Sequence, residues 1–285
     1  MKDSTNWKIL THPFSREIED SLKQQHHAAQ FIALVGKYLI NQLPDDSNTN
    51  MLYSPENKLL IGNRLSNVLH IALHLPNLIL HVLDKDYKSK YSIPLNGKTK
   101  NEVFEELKMI LEKFGTDVSQ FTQELHYKIP FHDVEKTLPF NIINKESFQI
   151  NAIYRDNAEI ILKNVATEFT HASSVRIWPH HFDTGSYIPV EFNTKNEVVK
   201  SFGIGWAIPD NAVNEPYYYL SFWSENPIQD FNKLPSPDSG KWMSDWKGGV
   251  LKLSDILKEK TSVSQYEQVK LFFKSGIEIL SKQYL

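Results

Sequence analysis

The chain is expected to fold as an α+β protein, with antiparallel sheet covered by long helices, and three observations carry that expectation. Several long stretches repeat their apolar residues at the three- and four-residue spacing of an amphipathic helix, whereas the segments between them alternate with period two. The alternating segments are joined by short polar turns rather than by helical crossovers, which selects antiparallel pairing. The 11 glycines form neither G-x-G-x-x-G nor a P-loop, so a nucleotide-phosphate cradle has no support.

Taken in order, Phe14 to Leu43 places Ile18, Leu22, Ala29, Ile32, Ala33, Gly36, Leu39 and Leu43 near one stripe, with Pro13 before it and Pro44 after it. From Met51 to Asp84 the period is two. Leu69, Ile71, Leu73 and Leu75 answer Leu78, Leu80 and Val82 across a Pro76-Asn77 turn, as expected of a hairpin with one buried face. Lys100 to Phe114 reads as a helix stopped by Gly115. Residues 129–145, with Pro130 and Pro139 and no period, mark a boundary. A helix from Phe148 to His171 comes next. Strands are then expected at Val175 to Asp183, Tyr187 to Phe192, Val198 to Ile208, Pro216 to Trp223 and Val250 to Leu253, before a closing helix from Gln265 to Leu285. The plan helix, strands, helix thus occurs twice, giving expected halves at 1–128 and 146–285 without a residue-level repeat.

Composition narrows function by exclusion. Lysine plus arginine number 31 against 34 acidic residues, a net charge of −3 with no long run of one sign, so nucleic acid is not an expected partner. With no cysteine, thiolate metal sites and a cysteine nucleophile are ruled out, and any metal must take nitrogen or oxygen ligands. No apolar stretch reaches the roughly 18 residues of a membrane span, and Met1 to Trp7 lacks an apolar signal core. A cytoplasmic protein that does not enter membranes is the expectation.

The chemistry-bearing stretch is Trp178-Pro179-His180-His181-Phe182-Asp183, then Gly203-Ile204-Gly205-Trp206, Asp210, and Glu215-Pro216-Tyr217-Tyr218-Tyr219 up to Trp223. If Asn193 to Asn196 turns a long hairpin, residues near 181 lie opposite residues near 208, and Asp210 and Glu215 flank the next turn at the same end. On a continuous strand His181 and Asp183 face alike and His180 faces away, unless Pro179 marks a bulge. Imidazole with carboxylates suits a divalent metal such as Zn, Mn or Fe, and an open coordination position would activate water. The alternative is that these groups only bond one another at a strand end. Pairing across the Asp210 turn sets Tyr217 and Tyr219 over Gly203, Gly205 and Ala207. That is either a packing device or a groove whose low floor and aromatic wall, Trp223 included, suit a sugar or flat ring. His70, His74 and His81 face away from the hairpin leucines, and at about 3.3 Å per residue His70 and His74 are too far apart to share an ion. Trp242, Trp246, Gly248 and Gly249 read as a lid or as edge packing.

On the Trp178 to Asp183 motif, Gly203-x-Gly205 and Glu215-Pro216-Tyr217-x-Tyr219, the sequence resembles an uncharacterised bacterial family. Its members carry Trp-Pro-(Glu or His)-His-Phe-Asp and then Glu-Pro-Tyr-x-Tyr. The likeness is close from Trp178 to Trp223 and looser from His27 to Leu39, with Gln30 and Gly36-Lys37. It implies no reaction. The matching positions are His181, Phe182, Asp183, Glu215, Pro216, Tyr217 and Tyr219, while His180 departs from the glutamate that many relatives have there.

The expectation for function is a small-ligand-binding protein with a polar and aromatic pocket, in one version a metal-dependent hydrolase. His181, Asp183 and Glu215 would be catalytic or metal-ligating, and Trp178, His180, Asp210, Tyr217 and Tyr219 would contact ligand. The competing expectation is a non-catalytic binding or interaction module in which the motif is structural.

Overall fold

Arg16–Leu39 forms the first helix, α1, because Ser15 supplies an N-cap that accepts from Ile18 N at 3.4 Å and the apolar stripe repeats without interruption. Five strands come after it: β1 (Met51–Ser54), β2 (Leu59–Gly62), β3 (His70–His74), β4 (Ile79–Leu83) and β5 (Ser89–Pro94). Helix α2 (Lys100–Lys113) opens on a Thr99–Glu102 capping box and stops at Gly115, which adopts φ +81°. Then come α3 (Lys145–Ala166), β6 (Arg176–Trp178), β7 (Asp183–Phe192), β8 (Val198–Ala207), β9 (Tyr217–Ser224), β10 (Lys241–Met243), β11 (Gly248–Lys252), α4 (Leu253–Ile256) and α5 (Ser262–Tyr284). These assignments come from a computed structural model that describes residues 6–228 and 230–285. All pairings between these strands are antiparallel, as expected for the α+β class. Among the described residues no helix is long and apolar enough to cross a membrane.

The chain divides into two compact units, and neither is continuous in sequence. One comprises Ser15–Ala152 and Arg176–Phe182; the other comprises the described residues up to Phe14, Ile153–Val175 and Asp183–Leu285. The stretch 129–145 lies inside the first of these.

In the first unit the strand order is β6-β1-β2-β3-β4-β5. Helix α1 lies on the face of Leu60, Ile71, Leu73 and Leu80, and it comes so close that a Cβ on Gly62 would collide with the Ile32 side chain. A one-sided stripe does not describe α1: Gln24, Gln25, His26, His27 and Gln30 are buried as well, because backbone carbonyls receive their donors. Gln25 Nε2, for example, donates to Leu75 O at 3.1 Å and to Phe148 O at 3.2 Å. The β3–β4 hairpin also departs from a single buried face, since His70 and Ala72 are buried on the side away from the leucines. Strand β5 pairs only with β4 and is guarded by exposed Lys90, by Pro94 and by a register shift at Val82/Leu83.

In the second unit the order is β10-β11-β9-β8-β7. Ile188, Phe202, Ile204, Trp206, Leu220 and Leu251 form the buried face, and Gly276 of α5 admits Leu220 so closely that a Cβ would sit 2.6 Å from it. Arg155 is buried on this side, its guanidinium 5.2 Å from the Trp206 ring and donating to Thr184 Oγ1 at 2.7 Å. The opposite face carries the candidate site.

Candidate ligand site

The strand expected across 175–183 does not run through. Pro179 to Phe182 form a turn, closed by Phe182 N donating to Trp178 O at 2.7 Å with Phe182 at φ 54°. The alternation that made His181 and Asp183 like-facing is therefore lost. A non-glycine residue in the left-handed region is costly, and here burial offsets it: Phe182 is fully enclosed and stacks on His26 at 4.9 Å and 3°. His26 Nε2 and Gln30 Nε2 both bond Pro179 O, at 2.8 and 3.0 Å, and Tyr127 donates to Gln30 Oε1 at 2.8 Å. The half-buried His180 lies edge-on to Tyr127 at 5.9 Å and to Trp178 at 6.4 Å, and the exposed His181 ring lies 4.4 Å from His180. Within the first unit, then, the Trp-Pro-His-His-Phe part of the motif is a clasp on α1.

Asp183, Asp210, Glu215, Tyr217 and Tyr219 belong to the second unit. Register sets which of them meet. Gly185 pairs with Gly205 and Gly205 with Tyr219; Tyr187 pairs with Gly203 and Gly203 with Ser221; Ala207 pairs with Tyr217. In an antiparallel ladder directly opposed residues share a face, so Asp183, Gly185, Tyr187, Gly203, Gly205, Tyr217, Tyr219, Ser221 and Trp223 all point to one side. Tyr219 lies flat across Gly205, where any Cβ would run into its ring, and its hydroxyl reaches β7 beside Gly185 to donate to Asp183 Oδ2 at 2.6 Å. Tyr217 donates to Asp210 Oδ2 at 2.7 Å, while Asp210 Oδ1 accepts from Ala212 N and Val213 N at 2.8 and 2.9 Å. Burial, joined by the neighbouring carboxylates, holds both phenols protonated far above neutral pH, so each serves as a fixed donor that aims its aspartate. Tyr219→Phe is expected to cost about 2 kcal/mol of stability, the worth of a hydrogen bond to a charged group, and chemical denaturation would measure it.

Glu215 serves elsewhere. Its carboxylate accepts from Ser254 N at 2.7 Å and Ser254 Oγ at 2.9 Å, and Lys252 stands at 3.8 Å, so it caps the start of α4. Among the described residues no three His, Asp or Glu side chains gather as a metal-ligating group.

Trp246, which the sequence offers as lid or packing, packs. Its ring stands 6.3 Å from Tyr217 and 5.6 Å from Tyr219, over Gly248, and those two tyrosines are 6.4 Å apart. Separations this short leave no space for a guest among the three rings. Tyr217 is accordingly core rather than wall. The aromatic surface left open is Tyr187, 46% exposed, and Trp223, 51% exposed, on either side of the β8 strand at Gly203, with the half-buried Ser221 beside it. Sequence reading missed Tyr187, although counting by twos from Asp183 through Gly185 reaches it. Comparison of the chain with family models, curated proteins and solved structures returns no match.

Proposed function

We propose that the face of strands β7, β8 and β9 opposite the one on which α5 packs binds an uncharged ring-bearing small molecule, a sugar or another flat ring, by stacking. The observation that carries this reading is the pair Tyr187 and Trp223, large rings held half in solvent from a rigid sheet on both sides of a glycine floor. At about 4.8 Å between strands, the two side chains start roughly 10 Å or more apart, the span of a ligand of one or two rings lying over Gly203. Around Gly203 that face carries no basic residue on β7, β8 or β9 between Asp183 and Tyr187, Ser201 and Ala207, and Tyr217 and Trp223, its lysines, Lys241 and Lys252, standing on β10 and β11, which argues against phosphorylated ligands at Gly203.

The metal-hydrolase version, with Zn, Mn or Fe on His181, Asp183 and Glu215, has less in its favour, because Glu215 is engaged by Ser254 and Asp183 by Tyr219. The structural reading of the Trp-Pro-His-His-Phe segment is favoured by the enclosed Phe182–His26 stack.

Tryptophan fluorescence and saturation-transfer NMR, with a β-linked tetrasaccharide, a monosaccharide and adenosine as probes, test the stacking site. Trp223→Ala and Tyr187→Ala are each expected to weaken binding at least tenfold while the melting temperature stays put, as half-exposed positions allow. Absence of binding by all three probes at millimolar concentration, or equal binding by both variants, would remove this reading.

A further inference from the structure

We propose that Lys100, at the start of α2, is an imine-forming lysine whose amine takes up an uncharged aldehyde or ketone, with the buried His27 on α1 as its positioning residue. Four features of the fold converge on this side chain. It is half-buried. It is the first residue of a 14-residue helix, where the positive end of the backbone dipole opposes an ammonium. Among the described residues its side chain makes no hydrogen bond and no ion pair. Its neighbour on α1, close enough for the ammonium to act on the ring, is an imidazole kept neutral by burial. The acids nearby are committed or distant. Glu102 closes the Thr99 capping box, Glu106 takes Lys98, and Asp20 accepts from His132 at 3.0 Å. Glu135, exposed on the 133–135 turn, acts on Lys100 only through space. Burial outweighs that attraction and lowers the lysine from its ordinary range, which leaves a larger share of neutral amine at pH 7 than an exposed lysine has.

His27 supplies the second half. The ring is fully enclosed, and Nε2 donates to Pro130 O at 3.0 Å, so Nδ1 carries a lone pair; that nitrogen has no hydrogen-bond partner. A buried acceptor without a donor is uncommon. Lys100 is a donor without an acceptor beside it. Rotation of the flexible lysine stem brings an amine N–H to Nδ1, and that bond turns the amine lone pair outward, to the half-exposed side where a guest arrives. The chemistry balances without a cofactor. The ammonium gives a proton to water, the amine lone pair forms the N–C bond, the carbonyl π pair takes a proton from water to give a carbinolamine, and loss of water leaves the C=N bond. Glu135 and the His27 lone pair disfavour a carbonyl compound that carries negative charge.

Reductive trapping on the full chain with propanal and cyanoborohydride, read lysine by lysine through peptide mass mapping from pH 6 to pH 10, tests the site. Lys100 is expected to label at least tenfold faster at pH 7 than the exposed Lys113 and Lys195, with a midpoint below theirs and no lasting adduct without reductant. Glu135→Gln, a change at an exposed position, should shift the midpoint further down and raise the rate at pH 7. His27→Leu should lower the plateau rate of Lys100 at least threefold without raising its midpoint. Labelling of Lys100 no faster than that of Lys113 would overturn the proposal, and so would an unchanged plateau in a His27→Leu protein that melts with the parent. Should His27→Leu unfold, Glu135→Gln decides, a midpoint and a pH 7 rate like the parent's being the adverse result.

Discussion

Gly36→Ala is expected to destabilise the protein by about 3 kcal/mol, although the same exchange inside an exposed helix would gain about 1 kcal/mol. Gly36 sits in the last turns of α1, where helix propensity favours alanine. A Cβ there would press into Asn48 O and come within 2.8 Å of Thr49 Cα, both backbone atoms that no side-chain rotation can move. Asn48 Nδ2 also donates to Gly36 O at 3.0 Å, tying the two segments together at the point of collision. Relief requires shifting 47–49 as a body, which breaks that bond and the Asn63 bonds to Ser47 O and Asn48 O. Urea melts of Gly36→Ala beside an exposed helical alanine control such as Glu105→Ala would read the difference. A variant as stable as the parent would mean that the approach of α1 to Asn48 is looser than described.

Acidification from pH 6.5 to pH 4 is expected to remove about 3 kcal/mol of stability through His27 alone. Burial, reinforced by the Lys100 ammonium, pushes this imidazole down from 6.5 to about 4, against the opposing hydrogen bond from Nε2 to Pro130 O at 3.0 Å. His132, bonded to Asp20 Oδ1 at 3.0 Å, lies 5.9 Å away ring to ring and adds to the depression. The sign depends on which state takes the proton. Between the two values the unfolded chain is protonated at this position and the folded chain is not, so folding stability is complete above 6.5 and drains as pH falls towards 4. Denaturant midpoints measured across that window should slope in the parent and flatten in His27→Gln. An identical slope in the variant would assign the acid sensitivity to other groups.

Much of the fold is readable from alternation and helical spacing because those signals are local. The Lys100 helix and its Gly115 stop, the Pro76-Asn77 hairpin and the placement of Tyr219 over Gly205 and Tyr217 over Ala207 all come from counting residues along one or two segments. Register over a longer hairpin is harder. The expected opposition of 181 and 208 is one residue from the observed ladder, in which Thr184 pairs with Trp206, because the turn closes from Asn193 to Glu197 rather than to Asn196, while the two irregularities between Pro189 and Phe192 cancel. The turn at Pro179 to Phe182 was hidden for a different reason. Phenylalanine rarely adopts positive φ, and only the waiting cavity beside His26 makes that conformation worthwhile. Glu215 shows the same limit: its engagement by Ser254 joins positions 39 apart, which no pattern within a segment encodes.

The discontinuous first unit has a consequence for biosynthesis. Strand β1 finds one of its neighbours, through Met51 and Ile177, only in the segment Arg176–Phe182, which also delivers Phe182 to His26. A nascent chain paused at Ala152 would carry α1 with an unfilled socket for that ring. The N-terminal portion therefore cannot mature on the ribosome until Phe182 has emerged, and expression trials that truncate the gene before codon 176 should give insoluble product.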